Sequence, residues 1–134
     1  MTQVYLAGPI HGRSDIECKA WRNEAAAVLG VHDITCLDPM RHDYRGIEEE
    51  AADDIVAHDE QMIDEADLVL VNANEPSWGT AMEVFYAKNL GKEVVAFTDA
   101  DSISPWLRVH TTAIFGTLAQ ALGGIVFRDT KGMR

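Results

Sequence analysis

Leu68-Val69-Leu70-Val71 is an unbroken apolar run, with Asp67 before it and Asn72-Ala73-Asn74 after it. A strand that is apolar on both alternating faces has to be covered on both, as in the interior of a parallel sheet. Val4 to Ala7, Ile34 to Leu37 and Glu93 to Phe97 read the same way, and Thr112 to Phe115 offers a last strand. The first of these ends at Gly8-Pro9, a turn where backbone can approach a ligand closely.

Helical patterns fill the intervals. Ser14 followed by Glu17 forms a capping box, Cys18, Trp21, Ala25, Val28 and Leu29 make an apolar stripe, and Gly30 supplies a stop. From Glu48 to Asp67 there are ten acidic residues and no Lys or Arg, yet Ile47, Ala51, Ile55, Met62 and Ala66 keep a helical stripe. Four residues on from Ile55 that stripe meets Asp59; spacing alone leaves it either facing the core or at the solvent edge. A further helix runs from about Gly79 to Leu90 and stops at Gly91. Pro105-Trp106-Leu107 opens a short helical turn, and Thr117 to Leu122 a last helix; the tail beyond Ile125 carries no pattern.

Strands alternating with helices through short connections, crossed right-handedly, imply an α/β three-layer sandwich. The expected fold is flavodoxin-like (Rossmann-like), a five-stranded parallel sheet in the order 2-1-3-4-5. In that order the first and third strands flank the switch point, so the Gly8-Pro9 turn and the segment from Ser77 to Glu83 line one crevice. The 134 residues, 47% of them hydrophobic, suit a single domain spanning 1–134.

The formal charge of -11 argues against a polymeric nucleic acid partner, whose phosphates need a basic surface, while leaving room for a single nucleotide. Two cysteines, Cys18 and Cys36, no signal-like start and no apolar run near membrane length point to a cytoplasmic setting without membrane contact. No cofactor is expected: Gly8-Pro9-Ile10-His11-Gly12-Arg13 lacks both the P-loop Lys and the dinucleotide glycine pattern. No metal is expected either, because His11, His32, His42, His58 and His110 fall at no recognised ligand spacing.

Glu83 is the lone charge between Trp78 and Ala87, about one turn inside a helix whose start would favour an anion. A carboxylate among apolar side chains implies pairing, a shifted pKa or a reaction. With Asp59 as a second acid and Tyr5 and Trp78 as aromatic groups, the crevice suits glycosidic cleavage: one carboxylate attacks the anomeric carbon and the other manages the leaving group. Arg13, Ser77 and helix-start amides could hold one phosphate monoester; equally, Ser77 could only cap its helix. The loop Arg41-His42-Asp43-Tyr44-Arg45 is rich in side-chain donors but has no assigned role.

Val4-Tyr5-Leu6-Ala7-Gly8-Pro9, Asp59, Ala66-Asp67-Leu68-Val69-Leu70-Val71, Gly79-Thr80-Ala81-Met82-Glu83 and Gly91-Lys92 together resemble the nucleoside 2-deoxyribosyltransferase family, over residues 4 to about 110. That family includes deoxynucleoside 5′-monophosphate N-glycosidases and hydroxymethyl-CMP hydrolases. The resemblance implies Glu83 as the nucleophile that forms a deoxyribosyl ester, and Asp59 as the acid that contacts or protonates the base. Tyr5 and Gly8 match positions beside the sugar and base, and Ile10 and Gly79 are further candidate substrate contacts. The partners implied are a small nucleoside or nucleotide and a free nucleobase, with either a second base or water resolving the ester. Ser77 and the Gly12-Arg13 pair are similar to the phosphate-binding features of the monophosphate hydrolases, whereas Pro9 stands where those have a Ser. The Asp38-to-Asp43 loop is similar to one in the hydroxymethyl-CMP hydrolases. The family also implies a homodimer or higher homo-oligomer in which Ser104 or Trp106 completes a neighbour's site; apolar Met82, Phe85 and Tyr86 are candidate contacts. A non-catalytic nucleotide-binding protein is the alternative of another class.

Overall fold

The computed structural model describes residues 2–131. The chain runs β1 (Gln3–Ala7), α1 (Asp15–Val31), β2 (Thr35–Leu37), a 3-10 turn (Pro39–Arg41), α2 (Ala52–Glu65), β3 (Leu68–Asn72), α3 (Trp78–Asn89), β4 (Glu93–Phe97), α4 (Pro105–Val109), β5 (Ala113–Phe115) and α5 (Leu118–Thr130). The five strands are all parallel, in the order β2-β1-β3-β4-β5, with Tyr5 beside Val69 and Val69 beside Val94. This is the expected flavodoxin-like sheet.

The alternation along each strand divides the core in two. Val4, Leu6, Leu68, Leu70, Val95 and Phe97 face α1 and α5, where Ala25, Leu29, Leu122 and Ile125 cover them. Tyr5, Ala7, Val69, Val71, Val94 and Ala96 face the other way, against Met62, Ile63, Val84 and Ala87 of α2 and α3. Each interior strand is buried on both faces, which is why its sequence reads as a continuous apolar run.

Three local expectations need correction. The capping box of α1 is present in both directions, but the helix passes Gly30 to Val31 and is followed by Asp33 at φ 60°. Its buried face is Cys18, Arg22, Ala25 and Leu29, whereas Val28 is exposed; the face is rotated so that a charged residue occupies the central core position. The acidic helix begins at Ala52, not near Glu48: residues 44–51 form turns and Ile47 is exposed, because their chain wraps over the site before entering α2. The last helix does not end at Leu122 but runs through Gly123-Gly124 to Thr130. Gly124 is there for packing: a Cβ on it would lie 2.6 Å from Cζ of Phe115.

Candidate active site

The carboxyl ends of β1 and β3 diverge at the switch point, and a cavity of about 430 Å3 opens above them. Its walls come from four segments: Gly8, Ile10 and His11 after β1; Pro39, Met40 and the stretch from His42 to Arg45 after β2; Ile55, Asp59 and Ile63 of α2; and Ser77, Gly79, Met82, Glu83 and Tyr86 around α3. Asp59 therefore faces the crevice, from the middle of α2.

Tyr5 is fully buried in β1 and its hydroxyl donates to Oε2 of Glu83. Glu83 and Asp59 line the same cavity, and their carboxyl groups act on one another. Burial, then the charge of Asp59, pushes Glu83 well above the usual carboxylate range, while the Tyr5 hydroxyl and the charge of Arg22 oppose the shift. Burial raises Asp59 as well, against the pull of Glu83, Arg22 and His58. Two carboxyl groups this close cannot both ionise easily, so the pair holds a shared proton into the neutral range. Burial and the same two acids drive the Tyr5 hydroxyl far up, so it stays a donor.

Gly8, Ile10, Ser77 and Gly79 line this cavity with the acids. Gly8 has to lack a side chain, since a Cβ there would meet Cζ2 of Trp21 at 2.7 Å. Ser77 caps α3, accepting from the Thr80 amide at 3.4 Å, and sits on the lip of the cavity. Arg13 is not among the cavity's walls; it is held by Glu75 and by Glu17 at 3.5 Å. Ser104 caps α4, and with Trp106 it lines a second cavity of about 710 Å3 on the far side of α3, together with Trp78, Phe85 and His110. Within one chain, then, Ser104 and Trp106 stand apart from Glu83.

Other site features were not assigned from sequence. The ring of His42 stacks on that of His58 at 4.3 Å, and the Tyr44 hydroxyl bonds Nδ1 of His58 at 2.7 Å, giving the cavity mouth a flat aromatic wall. Arg45 is bound by Asp43 at 2.7 Å and Asp15 at 2.6 Å, and its guanidinium holds the Asp43 carboxyl down to about 2. His11 pairs with Glu48 at 3.1 Å. The donor-rich loop could be flagged from composition, but its partners lie in α1 and α2, so only the fold brings them together. Among the described residues no cluster of three or more His, Cys, Asp or Glu could hold a metal ion, and no helix is long and apolar enough to cross a membrane.

Tyr5, Glu83 and Asp59 thus meet at the switch point of a parallel sheet, where α/β folds of this kind bind their ligands. The sequence matches the family model for nucleoside 2-deoxyribosyltransferase over residues 4–129, and the chain belongs to that family. It is accordingly an N-glycosyl transferase or hydrolase acting on small nucleosides or nucleotides. Among solved structures it is similar to the 2-deoxyribosyltransferase of Bacillus psychrosaccharolyticus, with a TM-score of 0.70 and 22% identity over 90% of each chain. It is also similar to the CMP N-glycosidase of Clostridium botulinum, with a TM-score of 0.65 and 17% identity over 92% of this chain and 98% of that one. A response-regulator domain from Carboxydothermus hydrogenoformans shares the fold more loosely, at a TM-score of 0.53 and 12% identity over 98% and 97% of the two chains. These are likenesses of fold. No curated protein matches the sequence significantly.

Proposed function

We propose that this enzyme cleaves the N-glycosidic bond of a 2′-deoxynucleoside and passes the deoxyribosyl group to another base. The observation that carries the reading is Glu83 itself, a cavity-lining carboxylate that accepts from Tyr5 in the cavity that Asp59 also lines. In the first half, a carboxylate oxygen of Glu83 attacks C1′ as the C1′–N bond breaks. The bonding pair leaves with the base, which takes a proton from Asp59. In the second half, a nitrogen of the incoming base attacks C1′ and the ester C–O bond breaks. Glu83 recovers its electron pair, and the base gives its proton to Asp59. The Tyr5 hydroxyl stabilises the carboxylate before attack and after release.

Charge pairing favours a nucleoside over its 5′-monophosphate. Arg45, the only Arg or Lys among the described residues lining the cavity, is committed to Asp43 and Asp15, and Arg13 is committed to Glu75 and Glu17. Asp43, Glu48, Asp59, Glu60 and Glu83 line the same space, so a phosphate dianion would enter against like charge. The second reading, a monophosphate N-glycosidase, draws support from Ser77 and the α3 amides at the lip, which could receive a phosphate.

Incubation with a deoxynucleoside and a different free base should give a new nucleoside by chromatography. A deoxynucleoside monophosphate alone should be left intact; its conversion to free base and sugar phosphate would establish the second reading instead. Acid-quenched protein should carry one deoxyribosyl group on the peptide containing Glu83, and Glu83→Ala should lose both adduct and turnover. Nucleotide binding with neither product nor adduct would leave only a binding protein.

A further inference from the structure

Arg22 is the largest of the fully buried side chains, at 0% exposure. A guanidinium keeps its charge at any ordinary pH, so this is a permanent cation inside the fold. Its donors go to main-chain carbonyls: Nη1 to Cys18 at 2.7 Å, Nη2 to Gly8 at 3.0 Å, and both Nη2 and Nε to Leu6 at 3.4 Å. The carboxylate beside it is Asp38, 3.7 Å from Nε and partly open to solvent, and the Trp21 ring lies 4.7 Å from its central carbon.

Packing does not explain such a residue. Burying an ion with one imperfect partner costs several kcal/mol, and an apolar residue of similar volume would continue the stripe of α1 without that cost. What Arg22 reaches is the site. It holds the carbonyl of Gly8, whose residue lines the cavity, and its charge acts across the end of β1 on Tyr5, Glu83 and Asp59.

We propose that Arg22 is a positioning residue for the glycosyl chemistry: its fork fixes the Gly8 turn against the cavity, and its buried charge offsets the negative charge of Glu83 and Asp59. The inference rests on those two acids being the reacting pair. The groups around the pair are Tyr5 from β1, Arg22 from α1, His58 and Glu60 from α2, Tyr86 from α3, and His11, His42, Asp43, Tyr44, Arg45 and Glu48 from the loops. Those around Arg22 are Asp38, Tyr5, Glu83 and the Cys18 thiol. Arg22 is the cation set behind the pair, on the side away from the open cavity.

The test uses the full chain and two readouts: carboxyl 13C NMR titration of the substrate-free protein, and the pH profile of kcat/KM. In Arg22→Met and Arg22→Gln both carboxyl titrations should move to higher pH. The acid limb of kcat/KM should follow, so that activity falls about tenfold more at pH 6 than at pH 8 for each unit of movement. In Arg22→Lys the titrations should stay near those of the wild type while kcat falls, because one ammonium cannot reproduce the fork on Leu6 and Gly8. Unchanged titrations in a folded neutral variant would overturn the inference. Failure of both neutral variants to fold would overturn it as well, by assigning Arg22 to the fold. A titration shift in a protein whose wild type shows no glycosyl cleavage would sink the catalytic reading and leave the link between Arg22 and the pair standing.

Discussion

The Tyr5 hydroxyl and the Asp59 carboxyl pull Glu83 in opposite directions, one stabilising its anion and the other disfavouring it. The consequence for stability has a definite sign. Both acids bind protons more tightly in the folded chain than in the unfolded one, where Asp and Glu titrate near pH 4. The folded state therefore carries extra protons between that value and the raised ones, and stability falls as pH rises through the window. Glu83→Gln removes the conflict: it should melt a few degrees above the wild type at pH 8, equivalent to about 1–2 kcal/mol, and match it at pH 4. A wild type equal to or more stable than the variant at pH 8 would contradict the buried pair. Glu83 is raised further than Asp59, so the singly protonated pair rests with its proton mainly on Glu83; turnover draws on the other arrangement, with Glu83 ionised and Asp59 protonated, and kcat/KM should be bell-shaped with both limbs in the neutral range. Asp59→Asn should lower kcat by about 10²–10⁴-fold and abolish the alkaline limb. It should also move the acid limb down, because the charge that raises Glu83 has gone. A variant with the wild-type profile would remove Asp59 from proton transfer.

At the scale of elements, α5 shows how packing overrides a local signal. Gly123-Gly124 lies inside the helix because Phe115 of β5 occupies the space above Gly124. Gly124→Ala should cost about 1–3 kcal/mol by overpacking in a denaturant melt and leave kcat of the folded enzyme unchanged, since α5 lies on the face of the sheet opposite α2 and α3. A loss of kcat without loss of stability would mean that α5 communicates with the site. The strands were legible because burial on both faces writes itself as uninterrupted apolar runs, and the Ser14–Glu17 cap was legible because both its bonds are local. Glu83 stood out because a charge in an apolar helix start has no cheap structural reason. Arg22 did not, since a stripe counted in apolar residues passes over a guanidinium two of whose carbonyl acceptors, Leu6 and Gly8, lie far away in the chain. The His42, Tyr44 and His58 wall was illegible for a similar reason: its members are sixteen positions apart at most in sequence, but the stacking depends on how residues 44–51 wrap onto α2.

At the scale of the molecule, the exposed tryptophans gather on α3 and α4. Trp78, Met82 and Phe85 of α3 and Trp106 and Val109 of α4 are all exposed, Trp78 at 86% and Trp106 at 73%. Phe85 and Trp106 both pack on the His110 ring, so the two helices present a joined apolar face. A patch of large exposed apolar residues is what a partner surface leaves behind when seen alone. We propose that a second copy covers it, and that Ser104 and Trp106, which line the neighbouring cavity rather than the one holding Glu83, serve the partner's site. Sedimentation should then give a dimer or a higher homo-oligomer, and Phe85→Glu should shift it toward monomer with loss of activity. The stronger test is complementation between two inactive variants. Glu83→Ala lacks the nucleophile, and Trp106→Ala lacks the donated residue. If each site draws Glu83 from one chain and Trp106 from the other, a mixed dimer of the two variants contains one whole site and one doubly defective site. Random reassortment makes half the dimers mixed, so activity should recover to about a quarter of the wild type after unfolding and refolding together. If both groups belonged to the same chain, no mixture could assemble a complete site, and activity would stay at the level of the separate variants.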